Sequence, residues 1–264
     1  MITGAAGGFG ALLASQCLAR GACVIALDLD EAALAEAIGS SERCLLRRAD
    51  VTQISDLKEA VSAGVAAFGG IDVLVNNAGI MPLAFYRDHA EAGEAWARCI
   101  DVNIKGVLNG IIAVHDHMIS AGRGHVVNLS SIYGNSGVAG SAVYSATKAA
   151  VNQLSESLRL ASQGKIKVTV VKPTGVPGTG LGSGVINPAA IEGILGAEYE
   201  AYMGTMGKIA AGLADPELTS KDAIEYAALD PAVLVEQMLY AIDQPWGVAI
   251  SEITVRASND RYVL

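Results

Sequence analysis

Tyr144 and Lys148 are the two side chains in the sequence with the clearest capacity for chemistry. They stand four residues apart in the segment YSATK, so on a helix the ammonium lies on the same face as the phenol. A free tyrosine has a pKa of about 10, and a nearby cation lowers it by roughly one to three units. The pair predicts a general acid–base catalyst, although Y-x-x-x-K alone also arises by chance in many helices.

Two further polar residues are candidates for the same chemistry. Ser131 stands 13 residues before Tyr144 and follows the apolar run HVVNLS. Its hydroxyl is therefore expected at the carboxyl end of a strand, where open parallel sheets bind ligands, with the adjacent Ser130 as the alternative. Asn103 lies in a long helical stretch, where Asn is disfavoured unless its side chain has a local partner.

A glycine-rich turn at Thr3–Gly10 is a candidate for binding the phosphates of a dinucleotide. Glycines let the backbone turn tightly and approach a pyrophosphate, and the N-terminus of the following helix offers free N–H groups. The spacing is G-x-x-x-G-x-G, which differs from the usual dinucleotide fingerprint and is a weak signal alone. The candidate cofactor-binding residues of this turn are Gly4, Gly8, Phe9 and Gly10.

Asp28 predicts the choice of cofactor. It ends the apolar run VIALD, 18 residues beyond Gly10, where an acidic residue binds the adenosine ribose hydroxyls. A carboxylate repels a 2′-phosphate, no basic residue neighbours it in the sequence, and Gly7 adds none to the turn, so NAD is favoured over NADP. The alternative is a simple strand-end carboxylate. Small residues that admit a cofactor follow another strand at Asn77, Ala78 and Gly79.

Strands and helices alternate along the chain, which predicts βαβ units and a parallel sheet covered on both faces. The predicted strands are Cys23–Leu27, Cys44–Asp50, Ile71–Asn76, His125–Leu129, Lys167–Lys172 and Val248–Val255. The predicted helices are Phe9–Arg20, Glu31–Ile38, Ser55–Phe68, Ala90–Ser120, Tyr144–Ser162 and Pro231–Ile242. Only Met1 and Ile2 precede the glycine-rich turn, so the first strand is either stunted or in an upstream piece not present in this chain.

Residues 177–222 interrupt this alternation, and we expect them to form a helical substrate-loop insertion before the last strand. A surface excursion is the alternative. If the insertion covers the substrate, the pocket is mainly apolar and suits a hydrophobic, ring-containing compound. The apolar side chains expected there are Leu181, Val185, Ile186, Ile191, Ile194, Leu195, Tyr199, Tyr202, Met203, Met206 and Ile209. The fold class predicted is α/β, a single-domain doubly wound parallel sheet (Rossmann-like) spanning 1–264.

Composition excludes several classes of protein. The chain has 264 residues, 52% hydrophobic and 17% charged, with a formal net charge of −9. It is not disordered, and its charge argues against partners such as nucleic acid or anionic membranes. No apolar run reaches the ~18 residues of a membrane span. Four cysteines without C-x-x-C spacing and no secretory pattern predict a cytoplasmic protein. His115 and His117 do not share a helix face, so no metal site is expected.

Taken together, these motifs resemble those of the short-chain dehydrogenase/reductase family over essentially the whole chain. The family's pattern is T-G-x-x-x-G-x-G, an acidic residue after the second strand, N-N-A-G, a helical Asn, and a Ser with Y-x-x-x-K. The resemblance implies that Tyr144 is the general base and that Lys148 lowers its pKa and binds the nicotinamide ribose. It also implies that Ser131 holds the substrate oxygen and that Asn103 supports a water-linked proton relay.

The resemblance implies four more cofactor contacts and an assembly. Asp50 and Val51 match the adenine side of the family's site. Val176 and Thr179 match the nicotinamide and diphosphate contacts, although the turn Pro173–Thr179 aligns with the family's P-G turn in two ways. Members commonly pair their long helices, so we expect a homo-oligomer, a tetramer.

The function expected from these residues is hydride transfer between NAD and a secondary alcohol or ketone. Two alternatives stay open. One is an epimerase or dehydratase-type relative, which carries a different glycine spacing and a longer C-terminal domain. The other is a non-catalytic dinucleotide-binding regulator, which would be expected to lack part of the catalytic set.

Overall fold

Seven parallel strands form the central sheet of the computed structural model, which describes residues 1–264. Their order is β3-β2-β1-β4-β5-β6-β7, and every neighbouring pair is parallel. This is the doubly wound α/β fold predicted from the alternation of strands and helices. The strands are β1 Ile2–Thr3, β2 Val24–Asp28, β3 Cys44–Arg48, β4 Val73–Asn76, β5 Gly124–Leu129, β6 Ile166–Pro173 and β7 Glu252–Val255.

Helices cover both faces of the sheet, so the central strands are apolar on both sides. Leu74 and Val126 pack into one core cluster, whereas the adjacent Val75 and Val127 pack into a cluster on the opposite face. Alternation along a strand explains this division, because successive side chains point to opposite faces. The helices are α1 Gly8–Ala19, α2 Glu31–Ile38, α3 Ile54–Phe68, α4 His89–Ile100, α5 Gly106–Ala121, α6 Ala142–Ala161, α7 Glu192–Leu195, α8 Tyr199–Ala210, α9 Pro216–Thr219 and α10 Pro231–Ile242.

The predicted helix Ala90–Ser120 is helical throughout, but it is not a regular α-helix along its whole length. A π-turn over Asp101–Lys105 separates α4 from α5, with the Gly106 N–H donating to the Asp101 carbonyl. An apolar period of 3.6 residues cannot reveal a turn that holds an extra residue. Such turns occur often at functional sites, and this one contains Asn103.

The first strand is only two residues long and lies at the centre of the sheet. Ile2 is in register with Ala26 of β2 and with Val75 of β4. The Thr3 hydroxyl accepts the N–H groups of Asn77 and Ala78 at 3.0 and 3.1 Å. Side-chain hydrogen bonds to the end of β4 therefore support the chain where the short strand leads into the glycine-rich turn.

Residues 177–222 form short helices between β6 and α10, as predicted. Ala190, Ile194 and Leu195 are buried, whereas Met203 and Leu213 are 43% and 78% exposed. The insertion is thus partly core and partly surface. The last strand is shorter than the predicted Val248–Val255. None of the helices is both long and apolar enough to cross a membrane.

Candidate active site

A cavity of about 960 Å³ opens at the carboxyl ends of the strands, between the glycine-rich turn and the insertion. It is lined by every predicted site residue except Gly10 and Asn103. Ligands of open α/β sheets bind in this position, and the volume is in the range of small-molecule sites. The predicted residues lining it are Gly4, Gly8, Phe9, Asp28, Asp50, Val51, Asn77, Ala78, Gly79, Ser131, Tyr144, Lys148, Val176 and Thr179.

The structure separates the roles of the two adjacent serines. The Ser130 hydroxyl donates to the Lys148 carbonyl at 3.0 Å, which ties the end of β5 to helix α6. Ser131 instead lies beside the Tyr144 phenol and lines the cavity. Its Oγ also accepts the Tyr133 N–H at 3.2 Å, which fixes its orientation at the start of a 3₁₀ turn. Ser131 is therefore the serine placed to contact a ligand.

Tyr144 does not have the lowered pKa that the sequence predicts. Its side chain is 3% exposed, and burial raises its pKa because the phenolate loses its hydration. The Ser131 hydroxyl acts in the opposite direction by favouring the charged form. The Tyr133 ring packs edge-on against Tyr144, with 5.4 Å between centroids. In the cofactor-free protein Tyr144 is thus a neutral phenol.

Lys148 is held beneath Tyr144 as a buried ammonium. Its Nζ donates to the Leu129 carbonyl at 2.8 Å and lies 5.7 Å from the centroid of the Tyr144 ring. Burial lowers the pKa of Lys148 to about 8. A cation at this distance favours ionisation of the phenol, but in the protein alone desolvation is the larger effect on Tyr144.

Asn103 supports the site from outside the cavity. Its Oδ1 accepts the Ile80 N–H at 2.9 Å, and its Nδ2 donates to the Ile80 carbonyl at 3.0 Å and the Thr147 hydroxyl at 3.1 Å. Thr147 in turn donates to the Tyr144 carbonyl at 2.8 Å. The Asn103 side chain therefore joins the segment after β4 to helix α6, and this local bonding explains an Asn within a helical stretch.

The glycine-rich turn has the features that a dinucleotide phosphate requires. No side chain caps the first turn of α1, and its residues Gly8 and Phe9 line the cavity, so free N–H groups of a helix N-terminus are available there. A Cβ at Gly10 would overlap the Gly4 carbonyl, and one at Gly8 would lie 2.7 Å from the Thr179 carbonyl. Asn77 Nδ2 holds the turn by donating to the Thr3 and Gly4 carbonyls at 2.9 and 2.8 Å. The residues present fit a bound dinucleotide.

Asp28 has structural partners as well as a place in the cavity. Its Oδ2 accepts the Ala6 N–H at 2.9 Å, and its Oδ1 accepts the N–H groups of Leu29 and Asp30 at 2.7 and 3.3 Å. Oδ2 keeps a second lone pair for a ribose hydroxyl, whereas Oδ1 already accepts two N–H groups. Asp28 is also in register with Arg48 of β3, an exposed basic residue that the sequence did not place beside it.

The remaining predicted contacts line the two ends of the cleft. The Asp50 carboxylate accepts the Thr52 N–H at 2.9 Å, and the Val51 carbonyl accepts Asn109 Nδ2 at 2.8 Å. At the other end the Thr179 hydroxyl donates to the Val176 carbonyl at 3.4 Å. Neither Thr52 nor Asn109 was identified from the sequence.

The apolar part of the cavity differs from the one predicted. Of the apolar side chains expected from the insertion, Leu181, Ile191 and Tyr202 line the cavity, while Met203 and Met206 do not. Sequence reasoning missed further lining residues, because their types and spacing do not indicate a ligand even where they lie next to a motif. These are Met81, Leu83, Arg98, Asp101, Ile132, Tyr133 and Tyr262.

Comparison with known proteins supports the same interpretation. A sequence profile of the short chain dehydrogenase family matches residues 1–186. An uncharacterized oxidoreductase of Staphylococcus saprophyticus is 32% identical over 264 residues, covering 97% of this chain and 95% of the relative. A 3-alpha-(or 20-beta)-hydroxysteroid dehydrogenase of Mycobacterium tuberculosis is 41% identical over 175 residues, 66% of each chain.

A solved structure extends the comparison to the fold. The closed form of a serine dehydrogenase complexed with NADP+ superimposes with a TM-score of 0.76 at 27% identity, covering 97% of this chain and 94% of that one. The profile match, the full-length relatives and the parallel sheet agree with the motifs. The chain belongs to the short-chain dehydrogenase family and is an oxidoreductase of that type.

Proposed function

We propose that the protein transfers hydride between NAD and a hydrophobic secondary alcohol or ketone, with Tyr144 as the general acid–base. The observation that carries the proposal is the buried stack of Lys148 under Tyr144, with Ser131 beside the phenol, in a cleft whose other end fits a dinucleotide. The cofactor supplies the hydride acceptor or donor when bound.

In the reducing direction Tyr144 gives its proton to the carbonyl oxygen. Burial keeps the phenol protonated, so the proton is present when substrate binds. The Ser131 hydroxyl donates to the same substrate oxygen and stabilises the charge that develops there. In the oxidising direction Tyr144 must accept a proton, and Lys148 is the cation of this chain that favours the phenolate. Asn103 contributes by positioning helix α6 through Thr147.

We propose NAD as the preferred cofactor because the Asp28 carboxylate lines the cavity and repels a 2′-phosphate. Two observations favour NADP instead. Arg48 is in register with Asp28, and a similar solved chain binds NADP+. Comparison of kcat/KM for NADH and NADPH with one ketone decides between them. Equal values, or a preference for NADPH, would overturn the assignment.

We propose a hydrophobic, ring-containing substrate. Around Tyr144 the cavity is lined by apolar side chains, among them Met81, Leu83, Ile132 and Ile191. The similarity to a hydroxysteroid dehydrogenase agrees with such a substrate. Residues 1–264 would act as one catalytic unit in which 177–222 form the substrate loop.

We also propose a homo-oligomer, a tetramer, formed through the long helices. Leu108 and Ile112 are four residues apart on α5 and are 39% and 47% exposed, and Leu160 on α6 is 53% exposed. Apolar side chains on the faces of two long helices favour burial against another subunit. Light scattering at micromolar concentration tests this, and a monomer would contradict it.

The experiment that tests the enzymatic proposal measures NADH oxidation with a panel of ketones. We expect turnover of cyclic or aryl ketones above that of short polyhydroxy ketones. Binding of NADH without turnover of any ketone would favour the non-catalytic regulator. A preference for the short polyhydroxy compounds would refute the hydrophobic substrate.

A further inference from the structure

Tyr202 and Tyr262 form a pair of phenols on the wall of the cavity. Their hydroxyl oxygens are 2.7 Å apart, and their rings meet edge-on with 5.5 Å between centroids. Both residues line the same cavity as Tyr144 and Ser131. They come from parts of the chain that lie 60 residues apart, one on α8 and the other beyond the last strand.

The segment Arg261–Leu264 holds Tyr262 in this position. The Val263 N–H donates to the Ile194 carbonyl at 3.0 Å, and Arg261 forms an ion pair with Glu198. Gly175, in the turn after β6, leaves the space that the Tyr262 phenol fills, because a Cβ there would overlap it. The phenol is therefore fixed against the turn that carries Val176 and cannot move without disturbing several contacts.

The two hydroxyls leave one proton without an acceptor. Two O–H groups share one hydrogen bond, so only one proton is used between them, and the structure shows no other hydrogen bond to either hydroxyl. Either hydroxyl can be the donor within the pair. The Tyr262 hydroxyl is packed against the Gly175 backbone, so the Tyr202 hydroxyl is the one left to donate into the cavity. A donor on an apolar wall favours a ligand oxygen that accepts it.

The pair also lies near the proposed reaction centre. Tyr133 packs against Tyr144, the neighbouring Tyr202 contributes to raising the pKa of Tyr133, and Tyr133 contributes to raising the pKa of Tyr262. All four rings belong to one apolar cluster. A substrate whose reacting oxygen meets Tyr144 and Ser131 would therefore extend past Tyr133 toward the phenol pair.

We infer that the Tyr202–Tyr262 pair is a binding site for a second oxygen of the substrate, a neutral carbonyl or hydroxyl placed away from the reacting one. The inference rests on the proposed function and narrows its substrate class to cyclic compounds with two oxygens. Tyr202 is the donor to that oxygen, and Tyr262 orients and polarises it. Neither residue takes part in the transfer of hydride.

The test compares matched ketones with and without the second oxygen. The pairs are cyclohexanone with cyclohexane-1,4-dione, and 2-decalone with decalin-2,6-dione. For each enzyme the kcat/KM of the dione is divided by that of the monoketone, so the intrinsic reactivity of the ketones cancels when variants are compared. Tyr202→Phe should lower this ratio by roughly tenfold for at least one pair, the loss of one well-placed hydrogen bond.

Two further variants separate recognition from packing. Tyr262→Phe leaves the Tyr202 proton in place and should lower the ratio less than Tyr202→Phe. Tyr199→Phe is the matched control on the same helix, because Tyr199 packs on the same apolar cluster but does not line the cavity. Its ratio should equal that of the wild type.

The outcomes separate this inference from the proposed function. Turnover of the monoketones with an unchanged ratio in Tyr202→Phe would overturn the inference and leave the proposed function standing. An equal fall in kcat/KM for monoketone and dione in Tyr202→Phe would show that the phenol pair only holds the segment Arg261–Leu264 in place. That result would also overturn the inference. No turnover of any ketone by the wild type would overturn both.

Discussion

Burying the Lys148 ammonium should cost the folded protein a measurable part of its stability. The side chain is 5% exposed, and burial lowers its pKa from 10.5 to about 8. Each pKa unit of difference between the folded and unfolded states corresponds to about 1.36 kcal/mol, so the displacement is worth ~3 kcal/mol. Lys148→Met removes the charge, but leaves the Leu129 carbonyl without its donor at a cost of about 1 kcal/mol. We expect the variant to be more stable than the wild type by ~2 kcal/mol at pH 7.

The stability difference between Lys148→Met and the wild type should depend on pH in a defined direction. Below pH 8 both states carry the charge, so the folded wild type bears the whole desolvation cost. Between pH 8 and 10.5 the folded state releases its proton while the unfolded state retains it, so wild-type stability rises with pH. The advantage of Lys148→Met should therefore shrink across this range.

Urea unfolding of the cofactor-free proteins at pH 7, 8.5 and 10 measures the difference. Lys165→Met is the control, because Lys165 is exposed and its replacement removes a lysine without removing a buried charge. A stability gap of the same size at all three pH values would refute the reasoning, as would a Lys148→Met protein less stable than the wild type at pH 7.

Three further predictions follow from the site and the core. Tyr144→Phe should lower kcat at least about 100-fold and leave the Kd for NADH within about twofold of the wild-type value. Replacing the exposed Tyr240 by Phe is the control and should leave both constants unchanged. A near-normal kcat in Tyr144→Phe would show that Tyr144 is not the general acid–base. Asp28→Ala should raise the ratio of kcat/KM for NADPH to that for NADH, and an unchanged ratio would show that the carboxylate does not select the cofactor. Burial lowers the pKa of His125 from 6.5 to about 4. Between pH 6.5 and 4 only the unfolded state gains a proton at this residue, so the free energy of unfolding should fall by up to ~3 kcal/mol as the pH drops through this range. The His125→Gln variant should lose less stability than the wild type over the same pH range, and equal losses of unfolding free energy, measured with urea, would contradict this.

The sequence predicts the elements well where a local signal marks their ends. Helices α2 and α10 have the predicted bounds, because Asp30 caps one and Asp230 caps the other ahead of Pro231. The site follows from motifs at the carboxyl ends of strands, since a parallel sheet brings those ends to one edge. The local sequence is therefore enough to predict where the glycine-rich turn and Ser131 lie in the fold.

Long-range and solvation effects are what the sequence does not show. Tyr262 reaches the cavity from the far end of the chain, and no spacing relates it to Tyr202. In the glycine- and alanine-rich insertion, an apolar pattern does not say which side of α8 meets the cavity, so Met203 was misplaced. The raised pKa of Tyr144 depends on burial, which a Y-x-x-x-K spacing cannot report.

The π-turn over Asp101–Lys105 makes the length of this segment more critical than its composition. One residue turns an α-helix by about 100°, so the extra residue of the π-turn determines the direction in which the side chains of α5 point. Asn109 on α5 donates to the Val51 carbonyl at the end of the cleft proposed for adenine, whereas Asn103 bonds to the segment after β4 and to Thr147 at the end proposed for the substrate. Deleting a single residue here would swing Asn109 away by a quarter turn or more and leave Asn103 anchored. The number of residues between Asn103 and Asn109 therefore fixes how the two ends of the cleft are positioned relative to each other.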